Sequence, residues 1–143
     1  MTAEVFVDTN VLLYTIDEDP TSASKRQRAQ QLLLSERWGW SVQVAAEFFV
    51  NATSAKRPFR LAAADATTLL ENWFAFPTMT ITPDLVRTAI DIHQRFQLSY
   101  WDGAILAAAK QLGCRTVYSE DMNAGQNYDG VAVINPFAVD AAP

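Results

Sequence analysis

The sequence lacks several features that would each indicate a particular class of protein. Among its 143 residues there is one cysteine, Cys114, which excludes an internal disulfide and favours a reducing compartment. No apolar run approaches the roughly 20 residues needed to span a bilayer. The amino terminus lacks the basic, apolar and small-residue segments of a signal peptide. These absences predict a cytoplasmic protein with no membrane partner.

Positive charge is also scarce. The chain has 11 Lys and Arg residues against 16 Asp and Glu, a net charge of −5, which argues against broad electrostatic attraction to nucleic acid. The basic residues include two clusters: Lys25, Arg26 and Arg28, and Lys56, Arg57 and Arg60. Either cluster fits a solvated helix face and gains functional interest only if it flanks a site.

Apolar residues, in contrast, are abundant enough to build a core. Half of the residues are hydrophobic and 19% are charged, which is typical of a folded chain. The length predicts a single domain over residues 1–143. Apolar runs predict strands at 5–7, 40–42, 79–81, 116–118 and 131–134, and helices lie between them. This alternation predicts an α/β fold with a parallel sheet of four to five strands and helices on both faces.

Four carboxylates fall where such a fold would bring them together. Asp8 directly follows the first strand, and Asp121 comes two residues after Ser119, the first residue beyond the fourth strand. Glu47 and Asp102 are predicted in the first turns of helices that can face the same sheet edge, where ligands bind in open parallel sheets. At about 5 Å and an effective dielectric near 20, each pair of acids costs roughly 3 kcal/mol. The cluster therefore suggests a divalent metal and hydrolysis of phosphate esters.

Three of these acids also have a purely structural interpretation. Asp8 could cap the first helix, which is about as plausible as catalysis. Asp102 follows Ser99 at capping-box spacing, and for this residue alone the cap is the better interpretation. Asp121 resembles a turn former, and its neighbour Glu120 is predicted to be solvated.

Glu47 is the hardest of the four to explain structurally. It lies beside Phe48 and Phe49, where an unpaired carboxylate would be costly. The coincidence of four acids on one frame favours function over four separate structural roles.

These residues lie in four segments whose order and spacing resemble a known family. The segments are VDTNVLLY, SVQVAAEFFVNAT, LSYWDGAILAAAKQLGC and VYSEDMNAG, which together extend over nearly the whole chain. They resemble the PIN-domain ribonucleases and, within them, the VapC-type toxins of toxin–antitoxin pairs. The positions that match the family's site residues are Asp8, Glu47, Asp102 and Asp121 for the acidic quartet, Ser119 for a hydroxyl, and Asn10 or Thr9 for a polar neighbour of the first acid.

The resemblance implies both a fold and a function. It implies a three-layer α/β/α sandwich, a Mg²⁺- or Mn²⁺-dependent endoribonuclease, a homodimer, and inhibition by a separate antitoxin protein. RNA is then the substrate. Gly103 stands where we would expect Ala, and the low helix propensity of Gly near a helix start should not abolish the site.

A ligand set made only of oxygen also favours Mg²⁺ or Mn²⁺ over Zn²⁺. We expect Asp8, Asp102 and Asp121 to be the principal metal ligands. Glu47 is either a further ligand or the base that activates the attacking water. Ser119 and Asn10 would hold carboxylates in place.

Two other functions stay open. The domain could be a PIN-like binding module whose acids hold a structural ion or a basic partner segment. Less favoured is an aspartyl-phosphate hydrolase with Asp8 as nucleophile, since such enzymes usually carry a second Asp where this chain has Asn10.

Overall fold

The computed structural model describes residues 1–138, which form one mixed sheet and six α-helices. The strands are β1 (Val5–Val7), β2 (Trp38–Ser41), β3 (Thr78–Met79), β4 (Thr116–Tyr118), β5 (Asn127–Tyr128) and β6 (Val131–Ile134). The helices are α1 (Thr9–Thr15), α2 (Ala23–Ser35), α3 (Val42–Ala52), α4 (Ala63–Trp73), α5 (Pro83–Phe96) and α6 (Tyr100–Gln111). None of these helices is long and apolar enough to cross a membrane.

The order of strands across the sheet is β3-β2-β1-β4-β6-β5. From β1 the chain moves outward through β2 to β3, then returns across the sheet to β4 on the other side of β1. Since parallel crossovers are right-handed, this reversal puts the helices before and after β3 on opposite faces. In agreement, α1 packs on α2 and α3, and α3 packs on α4, whereas α5 packs on α6. The predicted three-layer α/β/α sandwich is confirmed.

The sheet has six strands rather than the four or five predicted. The missed strand, β5, pairs antiparallel with β6. The two are joined at Asp129 and Gly130, whose φ angles of 56° and 96° are those of a tight hairpin turn. An Asp-Gly pair before an apolar run is a known hairpin indicator, but a two-residue strand shows no alternation of its own.

Helix α3 begins two residues earlier than predicted. Ser41 ends β2 and also caps α3, because its hydroxyl accepts a hydrogen bond of 3.3 Å from the Val44 N–H. The helix therefore starts at Val42, and Glu47 lies in its second turn rather than its first. β2 likewise begins at Trp38, two residues before its predicted start, and β3 begins one residue early.

Helices α5 and α6 follow their sequence indicators closely. Thr82 caps α5 by accepting a 3.1 Å hydrogen bond from the Leu85 N–H, and Pro83 is the first helical residue, as predicted. In α6 every residue from 103 to 109 is buried. A Cβ on Gly103 would lie 2.7 Å from the Ala89 carbonyl oxygen of α5. The glycine is therefore needed for the close contact of the two helices, and Ala does not fit there.

Aromatic side chains are concentrated around β2. We define the aromatic cluster as Trp38, Trp40, Phe48, Trp73, Phe74 and Phe76. Trp38 stacks on Phe76 with ring centroids 4.4 Å apart, and Trp73 makes an edge contact with Phe48 at 4.9 Å. Trp38, Trp40 and Phe48 are almost fully buried. The sequence-based expectation that most of these rings serve packing agrees with this arrangement.

Candidate active site

The strand order reverses between β1 and β4, and the site lies beyond the carboxyl ends of these two strands. Asp8 follows β1 and is 9% exposed. One carboxylate oxygen accepts a 2.7 Å hydrogen bond from the Thr9 N–H, so Asp8 does cap α1. The other accepts a 2.8 Å hydrogen bond from the Ser119 hydroxyl. The cap uses only one of the two carboxylate oxygens of Asp8. The capping and catalytic interpretations of Asp8 are therefore compatible.

Ser119 organises the segment that follows β4. It is fully buried, and its hydroxyl oxygen accepts hydrogen bonds from the N–H groups of Asp121 and Met122, at 3.2 and 3.3 Å. Since the same hydroxyl donates to Asp8, this side chain fixes the first acid relative to the backbone that carries Asp121.

Asn10 makes a second bridge across the same edge. Its amide nitrogen lies 3.2 Å from the Asp121 carboxylate, 3.4 Å from the Asp8 carboxylate and 3.2 Å from the Ser119 hydroxyl. Its carbonyl oxygen accepts a 3.0 Å hydrogen bond from the Glu120 N–H. Asn10, the second residue of α1, therefore holds both acids.

Glu47 joins the site from α3. One of its carboxylate oxygens accepts a 3.0 Å hydrogen bond from the Thr9 hydroxyl, and the other accepts a 3.1 Å hydrogen bond from the Gln43 amide. The side chain is exposed, so the expectation of a buried carboxylate beside Phe48 and Phe49 was wrong. Successive helical residues point about 100° apart, which lets Phe48 be buried while Glu47 faces the site.

Asp102 lies in the first turn of α6, as predicted, and is half-buried. Its backbone N–H donates a 3.1 Å hydrogen bond to the Ser99 hydroxyl, so Ser99 caps α6. The expected bond from the Ser99 N–H to the Asp102 carboxylate is not among the hydrogen bonds of residues 1–138. Burial raises the pKa of the Asp102 carboxyl, the Ser99 hydroxyl opposes this, and repulsion from Asp121 and Glu47 adds to it. Asp102 is therefore close enough to Asp121 and Glu47 to be repelled by their charges, although no hydrogen bond joins it to them within residues 1–138.

Burial also raises the pKa of Asp8, to about 6, against the opposing hydrogen bonds from Ser119 and Thr9. Repulsion from Glu47 and Asp121 contributes in the same direction. No Lys or Arg in the described part of the chain forms an ion pair with any of the four acids. The predicted like-charge cluster is thus present, without a protein cation to neutralise it.

The donor set fits a hard divalent cation by its chemistry. All candidate ligands are carboxylate oxygens, supported by an amide and two hydroxyls. Across residues 1–138, however, no three or more Asp, Glu, His or Cys side chains are already spaced to hold a metal. Asn10 lies between the Asp8 and Asp121 carboxylates, and the assignment of the four acids as metal ligands stays a prediction.

Glu120 is not simply solvated, as its sequence context suggested. It forms an ion pair with Lys25 of α2 and accepts a 2.7 Å hydrogen bond from the Tyr14 hydroxyl. Burial raises the pKa of Glu120, but the hydrogen bonds from Lys25 and Tyr14 outweigh it and hold the pKa below its ordinary value. This pairing fixes the residue before Asp121.

An open cavity of about 270 Å³ adjoins the carboxylates. It is lined by Asn10, Leu13, Tyr14, Asp17, Arg57, Glu120 and Asp121. Four of these residues, Asn10, Tyr14, Glu120 and Asp121, take part in the site or its support, and Arg57 brings a positive charge to the cavity.

The strand order β3-β2-β1-β4-β6-β5 with helices on both faces forms a PIN fold, and the four acids meet at the carboxyl ends of β1 and β4. The chain belongs to the PIN domain family, whose sequence model matches residues 5–128. A comparison with curated proteins finds no match.

Several solved structures share this fold. A toxin–antitoxin complex from Klebsiella pneumoniae has 19% identity, a TM-score of 0.67, and coverage of 95% of this chain and 100% of that one. The VapC20 toxin of Mycobacterium tuberculosis, described as cleaving the sarcin-ricin loop, has 20% identity, a TM-score of 0.66, and coverage of 84% and 92%. DNA-bound VapBC from Salmonella typhimurium has 16% identity, a TM-score of 0.65, and coverage of 94% and 99%. At these identities the similarity establishes the fold.

Proposed function

We propose that this protein is a metal-dependent endoribonuclease that acts as the toxin of a toxin–antitoxin pair. The observation that carries the proposal is the convergence of Asp8, Glu47, Asp102 and Asp121 at one sheet edge without an ion-pair partner among the described residues. Membership in the PIN family and the toxins among the structural neighbours support it.

We propose Asp8, Asp102 and Asp121 as the principal ligands of Mg²⁺ or Mn²⁺, with Glu47 as a further ligand or as the base. When bound, such an ion lowers the pKa of a coordinated water and stabilises the charge that grows on the phosphate. It would also oppose the burial that raises the pKa of Asp8 and the smaller repulsion from Glu47 and Asp121.

The residues around the acids have distinct roles in this proposal. Ser119 and Asn10 hold Asp8 and Asp121 at fixed positions. Glu47 is exposed and held only by hydroxyl and amide donors, so its carboxylate can orient the attacking water and accept its proton. Hydrolysis in this way leaves a 5′-phosphate and a 3′-hydroxyl, and it does not require the 2′-hydroxyl of the RNA.

We further propose a separate antitoxin protein as inhibitor, a homodimeric assembly, and a cytoplasmic location. The neighbours solved as toxin–antitoxin complexes, some bound to DNA, support the antitoxin. The homodimer rests on the resemblance to VapC-type toxins, and the location on the single cysteine.

The test is RNA cleavage by the purified protein with Mg²⁺, with Mn²⁺ and with EDTA. We expect cuts that leave 5′-phosphate ends and require the metal. Asp102→Asn should abolish them, whereas Asp84→Asn, which removes an exposed acid of α5, should not. Cleavage that persists in EDTA would exclude the metal mechanism. Binding of RNA without any cleavage would instead favour the binding module.

A further inference from the structure

The loop between α3 and α4 holds one of the two basic clusters of the chain. We define the basic loop as residues 53–60, which contain Lys56, Arg57 and Arg60. Its ends are held together by a 2.9 Å hydrogen bond from the Leu61 N–H to the Ala52 carbonyl. The loop therefore has a fixed base on α3, the helix that also carries Glu47.

The interior of the basic loop is a compact turn. The Ser54 carbonyl accepts a 3.0 Å hydrogen bond from the Arg57 N–H, and the Ser54 hydroxyl accepts one of 3.2 Å from the Lys56 N–H. Turns of this kind preorganise the side chains that they carry, which lowers the entropy cost of binding a partner.

Arg57 connects this loop to the candidate active site. Its guanidinium donates a 3.3 Å hydrogen bond to the Leu13 carbonyl of α1. It lines the same cavity as Asn10 and Asp121. A basic cluster gains functional interest only if it flanks the carboxylates. Arg57 meets this condition.

Arginines of both basic clusters donate to backbone carbonyls, as Arg57 does to Leu13, but only the cluster on α2 contains an ion pair. On α2, Lys25 is paired with Glu120, and Arg26 and Arg28 donate to the carbonyls of Asp17 and Pro136 at 3.3 Å each. In the basic loop, Lys56, Arg57 and Arg60 form no ion pair with any acid of residues 1–138. Their charge is thus available to an anionic partner.

Phe59 is the other unusual residue of this loop. It is 56% exposed, and its φ of 58° lies in the left-handed region, which aromatic residues seldom adopt. Such outliers occur at ligand-binding positions more often than elsewhere. An exposed ring between Arg57 and Arg60 is the combination with which proteins bind single-stranded nucleic acid, since bases stack on the ring and phosphates contact the cations.

We propose that the basic loop holds the RNA strand beside the carboxylates. Arg57 contacts a phosphate next to the one that is cut, Lys56 and Arg60 contact neighbouring phosphates, and a base stacks on Phe59. The inference rests on the proposed function, since the strand that is held is the strand that is hydrolysed. It also explains how a chain of net charge −5 could retain RNA: the attraction is local.

The test measures binding and cleavage separately. Binding is followed by the fluorescence anisotropy of a labelled single-stranded RNA on the Asp102→Asn protein, which should not cut it. At about 0.1 M salt, loss of one phosphate contact raises the Kd about fivefold and lowers the logarithmic salt slope by about 0.7. We expect this of Arg57→Gln, and smaller effects of Lys56→Gln and Arg60→Gln. Arg37→Gln removes the same charge at the amino end of β2, the opposite edge of the sheet, and should change neither quantity.

Phe59 requires variants that preserve the backbone. Asn tolerates the left-handed region well, so Phe59→Asn removes the ring without adding strain. We expect it to raise the Kd about tenfold, as loss of one stacked base does, with the salt slope unchanged. Phe59→Tyr keeps the ring and should bind as the parent does.

Cleavage by the same variants in the otherwise unaltered protein separates the two proposals. If the parent cuts RNA with metal and the loop variants bind and cut as well as the parent, the loop inference is wrong and the proposed function stands. If the parent cuts no RNA but Arg57→Gln and Phe59→Asn weaken its binding as expected, the loop inference survives as a binding surface and the proposed nuclease fails.

Discussion

The carboxylate edge and the aromatic cluster are built on neighbouring strands of one sheet, but they contribute oppositely to stability. The aromatic cluster buries large rings against one another, and edge contacts such as Trp40 with Trp73, at 5.9 Å between centroids, add to the area that it removes from water. The carboxylate edge instead buries Asp8 among other acids, which raises its pKa to about 6. The aromatic cluster therefore stabilises the fold, whereas the carboxylate edge is destabilised by the burial of Asp8 and by the repulsion between its acids.

This difference indicates which region can be changed without loss of function. In the aromatic cluster a substitution should lower stability while the site keeps its chemistry. At the carboxylate edge a substitution should remove activity and leave the fold as stable or more so, a common relation between stability and activity in active sites.

Trp40→Ala should give the largest effect on stability. Trp40 is fully buried, and its indole N–H donates a 2.9 Å hydrogen bond to the Thr78 hydroxyl. We expect a loss of about 3–5 kcal/mol in the free energy of unfolding, measured by urea denaturation. Cleavage per folded molecule should be retained at low temperature. A loss smaller than that of Leu34→Ala, whose side chain is 89% exposed, would contradict the assigned role of the cluster.

Asp8→Asn should show the opposite behaviour. Since the folded-state pKa of Asp8 is raised from 3.8 to about 6, the folded protein binds more protons than the unfolded chain between these values. The contribution of Asp8 to the stability of the metal-free protein should therefore be greatest below about pH 4 and be lost as the pH rises through 6. The shift corresponds to about 3 kcal/mol, which Asp8→Asn should restore at pH 7.

Denaturation in EDTA from pH 4 to 7.5 measures this dependence, with Asp84→Asn as the exposed control. Cleavage by Asp8→Asn should fall by about 10²-fold or more, because a proposed metal ligand is lost. A parallel pH dependence in Asp8→Asn and the parent protein would mean that Asp8 is not the titrating group.

Gly103→Ala changes the packing of α6 on α5 directly beside Asp102. The added methyl group would lie 2.7 Å from the Ala89 carbonyl oxygen, which belongs to backbone and cannot rotate away. We expect a loss of about 1–3 kcal/mol in stability, although Ala is the better helix former, together with reduced cleavage because α6 must shift. Gly125→Ala is the comparison, since its Cβ would meet no atom within 4 Å, although its φ of 85° adds strain. Equal cleavage by the parent and Gly103→Ala would show that α6 can move without displacing Asp102.

Glu120→Gln should give the smallest change in stability. The ion pair with Lys25 is partly exposed and worth under about 1 kcal/mol. Because Glu120 precedes Asp121, we expect affinity for Mn²⁺, measured by calorimetry, to fall about tenfold. Asp84→Asn, which breaks an exposed pair on α5, is the matched control. Unchanged affinity would mean that Asn10 and Ser119 position Asp121 without help.

The sequence predicted best those features that depend on nearby residues. Thr82 and Pro83 mark the start of α5, and the apolar run at Thr116–Tyr118 is β4. The start of α3 was missed because Ser41 is both the last residue of a strand and a helix cap.

Features that depend on residues far apart in the sequence could not be predicted from local sequence patterns. Lys25 and Glu120 are 95 positions apart, so nothing near Glu120 indicated its partner. The exposure of Glu47 depends on how α3 is rotated against the sheet, which its apolar neighbours alone did not determine. The convergence of the acids was predictable because the topology of parallel strands, rather than side-chain packing, sets it.

The hydrogen bond between Ser119 and Asp8 also limits how early in the synthesis of the chain the site can form. It joins residues 111 positions apart, and β1 pairs with β4 only after most of the chain has been synthesised. Contacts of such separation form slowly, and the domain cannot complete them while the carboxyl-terminal strands are still on the ribosome. A nascent chain whose Ser119 and Asp121 have not yet left the ribosome therefore lacks the groups that hold Asp8, so under the proposed function it should not cleave RNA.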